Sequence, residues 1–284
     1  MRKNSKIIAI LPAYNAEKTL ERVLSNLPKV VFSDIIVSDD CSVDKTYDLA
    51  GRIRNIIRIR TPRNLGYGGN LKYLVSAALS KGADVVVEIH PDGEYKTNGI
   101  IPALDQVQRG ADLVLGNRFS GRIIGMYWWK NMGTRLLTAV DNLALNSRIP
   151  DLHQGFRVYT RKLLTTVPWR EANNDYLFSF QIIAQAIFCR LHIASVPVST
   201  YYSGTKRGAR TGASIRYALG TFRVICQYFF AKMGRHIALF SKNNDKEIPK
   251  CPKCRNTYLV HTIQSKNNQL MYLCDGCNTP FFRP

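Results

Sequence analysis

The sequence predicts an α/β fold built on a mostly parallel sheet, and three features of its first half carry that prediction. Five short, largely β-branched runs recur, stretches of helical composition alternate with them, and polar residues gather just after the runs rather than inside them. No repeat of solenoid period is present.

In chain order, "IIAIL" (7–11), "DIIVS" (34–38), "NIIRI" (55–59), "DVVVEI" (84–89) and "DLVLG" (112–116) read as strands. Short apolar runs of this kind suit strands buried on both faces. "AEKTLERVLSNL", "DKTYDLAGRI", "GGNLKYLVSAALSK" and "IIPALDQVQRG" read as the connecting helices. The fourth strand is expected to end at His90, because the residue before Pro91 is held extended and Pro91 has no ladder donor. Beyond Gly116 the alternation weakens. "MYWWKNMGTRLLTAVDNLALNS" reads as a helix, "GFRVYT" as a short strand, "DYLFSFQIIAQAIF" as a helix and "IASVPV" as a last strand. The chain divides into a main domain over 1–212, a basic amphipathic helix over 213–242, a polar linker over 243–249 and a small module over 250–284.

With 284 residues, 45% of them hydrophobic, the chain can bury a full core, which excludes a disordered protein. The apolar run after the basic start is too short for a signal peptide and no cleavage site follows it, so a cytoplasmic location is expected. No run reaches the roughly 18 to 20 apolar residues of a membrane span. The net charge of +20 points to polyanionic partners: nucleic acid, anionic membrane or phosphorylated substrates. Between Tyr176 and Asn244 there is no acid, whereas Arg190, Lys206, Arg207, Arg210, Arg216, Arg223, Lys232, Arg235 and Lys242 are all basic. Over 214–240, Ile215, Tyr217, Leu219, Phe222, Val224, Ile225, Phe229 and Phe230 are spaced among these bases. That pattern favours a helix lying on an anionic membrane surface over a core helix.

Cys251, Cys254, Cys274 and Cys277 are spaced C-x2-C-x19-C-x2-C around a segment that reads as a hairpin turning at "SKNNQ". Two such knuckles make a zinc ribbon, and four thiolates leave Zn2+ no open position, so the site is expected to be structural. A pair of disulfides is the alternative, and a reducing cytoplasm argues against it. His261 reads as a packing or surface residue, and Cys41, Cys189 and Cys226 as isolated thiols.

Ligands of open α/β sheets bind outside the carboxyl ends of the strands. Here those ends carry "PAYN" (12–15), then Asp39, Asp40 and Ser42, then "TPRNLGYGGN" (61–70), then "HPDGEY" (90–95). The first turn has no glycine, which excludes a dinucleotide fingerprint, and no P-loop pattern occurs. The cluster of Gly66, Gly68 and Gly69 has two readings, a plain turn opening a helix or a backbone approach to ligand. Asp39 can accept hydrogen bonds from a base or ribose. Asp40 is placed to do the same or to cap the next helix, and Asp44 reads as a cap.

"ILPAYNAEKTL", "IIVSDDCSVDKT", "RNLGYGGNL", "HPDGEY", "GNRFSG" and "DLHQGFRVYTRKLL" stand in the order and at about the spacing of the motifs of inverting family 2 glycosyltransferases. Over roughly residues 6–220 the chain resembles the dolichyl- and polyprenyl-phosphate mannosyl- and glucosyltransferase branch, including members with an HPD-type loop. The resemblance implies a GT-A fold, a UDP- or GDP-sugar donor, a polyprenyl phosphate acceptor and inversion at the anomeric carbon. It places Pro12, Tyr14, Asn15, Glu17 and Asp39 in the nucleoside pocket, with Asp40 and Gly69 beside them. Asp92 is implied to hold Mn2+ or Mg2+ on the diphosphate, with Glu94 where the family often has Gln.

Some roles stay open. His90 lies two residues from Asp92 and reads either as a further metal ligand or as a loop residue bonded nearby. As a ligand its imidazole would favour Mn2+ over the oxygen-seeking Mg2+. Arg118 and Arg157 are implied to meet the acceptor phosphate or the departing diphosphate, and Lys206, Arg207 and Arg210 to gather the lipid phosphate. Asp151 reads as an acceptor-side base, needed for a hydroxyl acceptor but not for an ionised phosphate, or as a structural carboxylate paired with Arg157 or another base. Ser179 and Ser195 depart from family positions that are often acidic, and the zinc module is additional to the family pattern. Two other functions fit parts of the sequence. One is transfer to a glycan or small-molecule hydroxyl. The other is nucleic-acid binding by a basic ribbon flanked by Lys250, Lys253, Arg255, Lys266 and Arg283, which has no recognition helix or stacking motif to support it.

Overall fold

The structure, a computed structural model, describes residues 5–202, 211–241, 251–253, 260–266, 269–274 and 279–282. The five expected strands form as β1 (Ile7–Ala13), β2 (Asp34–Asp39), β3 (Ile56–Arg60), β4 (Val85–Glu88) and β5 (Leu113–Asn117). The connecting helices are α1 (Leu20–Ser25), α2 (Thr46–Arg52), α3 (Gly66–Ser80) and α4 (Ile100–Gln108). Then come β6 (Ile123–Ile124), α5 (Trp128–Leu145), β7 (Arg157–Thr160), α6 (Arg161–Thr166), α7 (Phe178–Phe188), β8 (Ile193–Pro197), β9 (Thr200–Tyr201) and α8 (Thr211–Lys232).

The main sheet has seven strands in the order β3-β2-β1-β4-β7-β5-β8, and β6 pairs with β9 beside it. β7 is the exception to parallel pairing: it runs antiparallel to both β4 and β5, with Arg157 opposite Glu88 and Leu115. The sheet is covered on both faces, as its continuous apolar strands require. Along β1, Ile8 and Ile10 face a core shared with α3, α7 and α8, whereas Ile7, Ala9 and Leu11 face one shared with α1 and α4. β4 ends at Glu88, two residues short of the expected His90, and only the Ile89 N–H continues the ladder, donating to Ile10 O at 3.0 Å.

Two helices are incompletely covered. α5 buries only Thr138, Asp141 and Leu145 and exposes Trp128, Met132, Leu136, Val140 and Leu143. α8 corrects the expectation of one surface helix over 213–242. It ends at Lys232, and Val224, Ile225 and Tyr228 are buried in the main core with Leu239 and Phe240 from the segment that follows. Ile215, Leu219, Phe222, Phe229 and Phe230 remain exposed, so the helix is core on one side and apolar surface on the other. Among the described residues no helix is long and apolar enough to cross a membrane.

At the C-terminus, β10 (Val260–Lys266) and β11 (Gln269–Cys274) form the expected hairpin, and β12 (Thr279–Phe282) adds a third antiparallel strand. Cys251 and Cys274 are both buried. Cys254 and Cys277 lie outside the described residues, as do Lys206, Arg207 and Arg210.

Candidate active site

The ends of β1 and β2 are tied into one rigid cleft wall. Asn15, in the left-handed region at φ 49°, donates its N–H to Ser42 Oγ at 2.9 Å and accepts from the Val43 N–H at 3.1 Å. Glu17 accepts from the Lys45 N–H at 3.1 Å, and its own N–H donates to Asp44. Asn15 and Glu17 therefore hold the two loops together, while Tyr14, 52% exposed, stands at the rim and Pro12 is buried within β1. Asp44 also takes the Thr46 N–H at 2.9 Å in a local turn just before α2, whose N-cap position is Lys45.

Asp39 is buried, ion-paired to Arg60 Nε at 3.2 Å, and accepts from the Ser42 N–H. Asp40 faces the other way. It accepts from the Leu65 N–H at 2.8 Å and the Thr61 hydroxyl at 2.9 Å, and burial pushes its carboxyl upward against those bonds. It thus anchors the loop before α3 instead of presenting a free carboxylate.

Gly69 lies in the same region. The Gly68 and Gly69 N–H groups donate to Asn174 O at 2.8 and 3.2 Å, and a Cβ on Gly69 would lie 2.8 Å from Leu65 Cβ. The glycines let α3 approach the 172–177 segment closely, a packing role.

The acidic loop rises from a buried polar cluster. Glu88, fully buried, accepts from the Tyr67 and Tyr159 hydroxyls and lies 3.5 Å from Arg157 and 3.2 Å from His90 Nε2. Burial alone would raise its carboxyl, but Arg157, His90 and Tyr159 outweigh burial and hold it below the ordinary value. The His90 imidazole is held the opposite way. Burial is outweighed by the Glu88 bond and the Asp92 charge, so its charged form is favoured.

His90 Nε2 is 3.2 Å from both Glu88 and Tyr67, so this nitrogen is engaged with the buried cluster below the acidic loop.

Asp92 is exposed, and its Oδ1 accepts from the Glu94 N–H at 2.9 Å. Burial and the Asp92 charge push the Glu94 carboxyl up to about 7. Two carboxylates placed so that full ionisation is unfavourable fit a divalent cation, which removes the repulsion. No three His, Cys, Asp or Glu side chains converge as a ready ligand set among the described residues, so further donors must come from elsewhere.

Arg118 and Arg157 are corrected as open phosphate ligands. Arg118 is 5% exposed and grips Asp151, with Nε 2.7 Å from Oδ2 and Nη2 3.0 Å from Oδ1, while Nη2 also donates to His153 O. Arg157 is 2% exposed, pairs with Glu88 and donates to the Gln154 and Gly155 carbonyls. Asp151 has Arg118, not Arg157, as its partner and also accepts from the Arg118 and His153 N–H groups, leaving neither oxygen available as a base. His153 carries this frame outward: its Nε2 lies 3.2 Å from Asp141 on α5 and its Nδ1 3.2 Å from Tyr217 on α8.

Sequence reasoning missed Glu88, Tyr67 and Tyr159. A glutamate at the end of an otherwise apolar strand was the available signal, since such a residue is buried only with partners.

A sheet with polar and acidic loops gathered along its carboxyl edge defines the α/β proteins that bind ligand there. The model of glycosyl transferase family 2 matches residues 8–167, more than half of the chain, and the chain belongs to that family and is a glycosyltransferase. It is 24% identical, over 81% of its length and 97% of the relative's, to a UDP-N-acetylglucosamine–dolichyl-phosphate N-acetylglucosaminyltransferase of Methanococcus voltae. It is 25% identical, over 77% and 86% of the two chains, to a polyprenol monophosphomannose synthase of Mycolicibacterium smegmatis. Glucosyl-3-phosphoglycerate synthase from Mycobacterium tuberculosis, solved with UDP, shares the fold with a TM-score of 0.59 and 19% identity, covering 82% of each chain. The fold is thus of the GT-A type.

Proposed function

We propose that the chain transfers a hexose, with inversion, from a UDP- or GDP-sugar to a polyprenyl (dolichyl or undecaprenyl) phosphate at the cytoplasmic face of a membrane. The observation that carries this reading is the pair of uncovered apolar helices beside the site. α5 begins ten residues after Arg118, and Lys130 in its first turn is close enough to Glu94 to act on its carboxyl. α5 touches α8, and each exposes large apolar side chains, Trp128 and Leu136 on α5 and Phe222 and Phe230 on α8, more than isolated surface apolar residues would need. A lipid acceptor needs its phosphate in the cleft and its chain in an apolar medium, and a bilayer under α5 and α8 supplies both. Similarity to relatives named for dolichyl and polyprenyl phosphate supports the same acceptor.

The Asp151 pair favours phosphate over hydroxyl. A hydroxyl acceptor needs a base, and the first candidate is locked on Arg118, whereas an ionised phosphate needs none. Asp92, with Glu94 beside it, would hold Mn2+ or Mg2+, which when bound neutralises charge on the departing nucleoside diphosphate. Asp39 and the Asn15–Glu17 wall hold the nucleoside, Tyr14 edges it, and the Glu88 cluster fixes the strand end from which the acidic loop rises. Lys206, Arg207 and Arg210 gather the lipid phosphate. Zn2+ on Cys251, Cys254, Cys274 and Cys277 staples the C-terminal strands, and native mass spectrometry should find one zinc per chain. Incubation with UDP- and GDP-sugars, polyprenyl phosphate in anionic vesicles and either metal tests the reading by the appearance of sugar in the lipid phase.

A further inference from the structure

Tyr176 has no part in the site as described, yet it is the exposed end of a row of rings leading to the acidic loop. Its ring stacks on Tyr67 at 5.0 Å and 23°, Tyr67 lies 5.5 Å from the His90 ring, and His90 lies 5.6 Å from Tyr95. Tyr67 is fixed through its hydroxyl to Glu88, so the face against Tyr176 is rigid. Tyr176 itself is 69% exposed.

A singly exposed aromatic ring is ordinary on a protein surface, so exposure alone decides nothing. The seat decides more. The Asn174 carbonyl accepts from Gly68 and Gly69, Lys72 donates to Ala172 O and to Asn174 Oδ1, and the Asn173 N–H donates to Gln181 at 2.6 Å. The Leu177 N–H donates to Asp175 Oδ1 at 2.9 Å. Three glycines at the start of α3 have no room for a Cβ, which lets that helix clamp the segment carrying Tyr176. The ring is therefore held in place on both sides of its own residue.

Its position along the cleft selects a ligand part. Asp39 ends β2, and the Asp92 loop follows β4, two strands away across β1, or about 10 Å at ordinary strand spacing. That separates a base at Asp39 from a sugar beyond the diphosphate at Asp92. Tyr176 stands at the Asp92 end: its ring stacks on Tyr67, whose ring lies 5.5 Å from that of His90, two residues before Asp92.

We propose that Tyr176 is the platform on which the hexose ring of the nucleotide-sugar donor rests. One face of the Tyr176 ring is taken by Tyr67, and exposed ring remains. The electron-rich face of an aromatic ring attracts the positive C–H edge of a partner, and one face of a hexose is a row of C–H groups. The tyrosine hydroxyl, without a hydrogen-bond partner among the described residues, is available to a sugar hydroxyl.

The inference rests on the donor reading of the cleft, and binding separates the two. The full chain is titrated with Mn2+ and each of UDP, UDP-glucose, UDP-N-acetylglucosamine, GDP and GDP-mannose, as wild type, Tyr176→Phe and Tyr176→Ala. The sugar should add affinity over its bare nucleoside diphosphate, Tyr176→Ala should remove about threefold to tenfold of that increment, and Tyr176→Phe should keep most of it. Affinity for the bare diphosphate should be unchanged in both variants. In the wild type, NMR of the bound donor should show ring protons of the hexose shifted upfield by the aromatic ring. An undiminished sugar increment in a folded Tyr176→Ala chain, or unshifted hexose protons, overturns the platform while leaving the donor reading standing. Failure of every nucleotide to bind overturns both.

Discussion

Arg118 holds Asp151 by two parallel contacts, Nε to Oδ2 at 2.7 Å and Nη2 to Oδ1 at 3.0 Å, with both residues buried. Removing one partner of such a pair leaves a buried charge without compensation, which costs about 3–5 kcal/mol. Asp151→Ala should lower unfolding stability by that order in urea denaturation, and Arg118→Met combined with Asp151→Leu should recover part of it. An Asp151→Ala chain of wild-type stability that has lost turnover would instead make Asp151 the base.

Glu94 should make cation binding pH-dependent. Its carboxyl is pushed up to about 7 from an ordinary 4.5, so its ionisation disfavours the folded state. That cost is absent below pH 4.5, grows as pH rises and is complete above about 7. A cation beside Asp92 relieves it, so binding releases a proton below pH 7, and Mn2+ affinity should rise by up to about tenfold per unit until 7 and then level. Calorimetry with Mn2+ and UDP across pH 5.5–8.5 checks this, and Glu94→Gln should flatten the profile.

The glycines opening α3 should matter for packing before ligand. A Cβ on Gly69 meets Leu65 Cβ at 2.8 Å, and one on Gly68 collides with the Asn173 carbonyl. Gly68→Ala should cost about 1–3 kcal/mol of stability by overpacking, with UDP affinity changed far less at temperatures where the fold persists. Loss of UDP binding at full stability would return these glycines to the nucleotide pocket.

The apolar flank should be separable from the fold. Trp128 and Leu136 are 77% and 68% exposed, so changing both to Glu should alter stability by no more than about 0.5 kcal/mol each. Sedimentation with anionic vesicles should fall, as should turnover on vesicle-bound acceptor. Unchanged sedimentation would remove the membrane from the account.

These tests also mark how far the sequence could be read. Strand and helix positions were legible because hydrophobic period is local, as in "IIAIL" and "DVVVEI". The direction of β7 was not, because "GFRVYT" pairs equally well either way until its neighbours are placed. Asp39 at the end of β2, and Asp92 and Glu94 in the loop after β4, were legible as strand-end acids. His90 was half legible: its distance of two residues from Asp92 is local, but its contact with Glu88 depends on the cluster that Tyr67, Tyr159 and Arg157 close around that carboxylate. Arg118 and Asp151, 33 residues apart, showed as two motif residues and not as each other's partner. Tyr176 showed as nothing, since its neighbour Tyr67 belongs to a helix more than 100 residues earlier in the chain.

The most direct measurement is transfer itself. The purified chain is given radiolabelled UDP- or GDP-sugars with Mg2+ or Mn2+, and either dolichyl or undecaprenyl phosphate in anionic vesicles or water-soluble sugars without lipid. The account predicts metal-dependent label in the lipid phase from at least one donor, abolished by Asp92→Ala. Efficient transfer to the soluble hydroxyl acceptors, with none to the lipid phosphate, would contradict it.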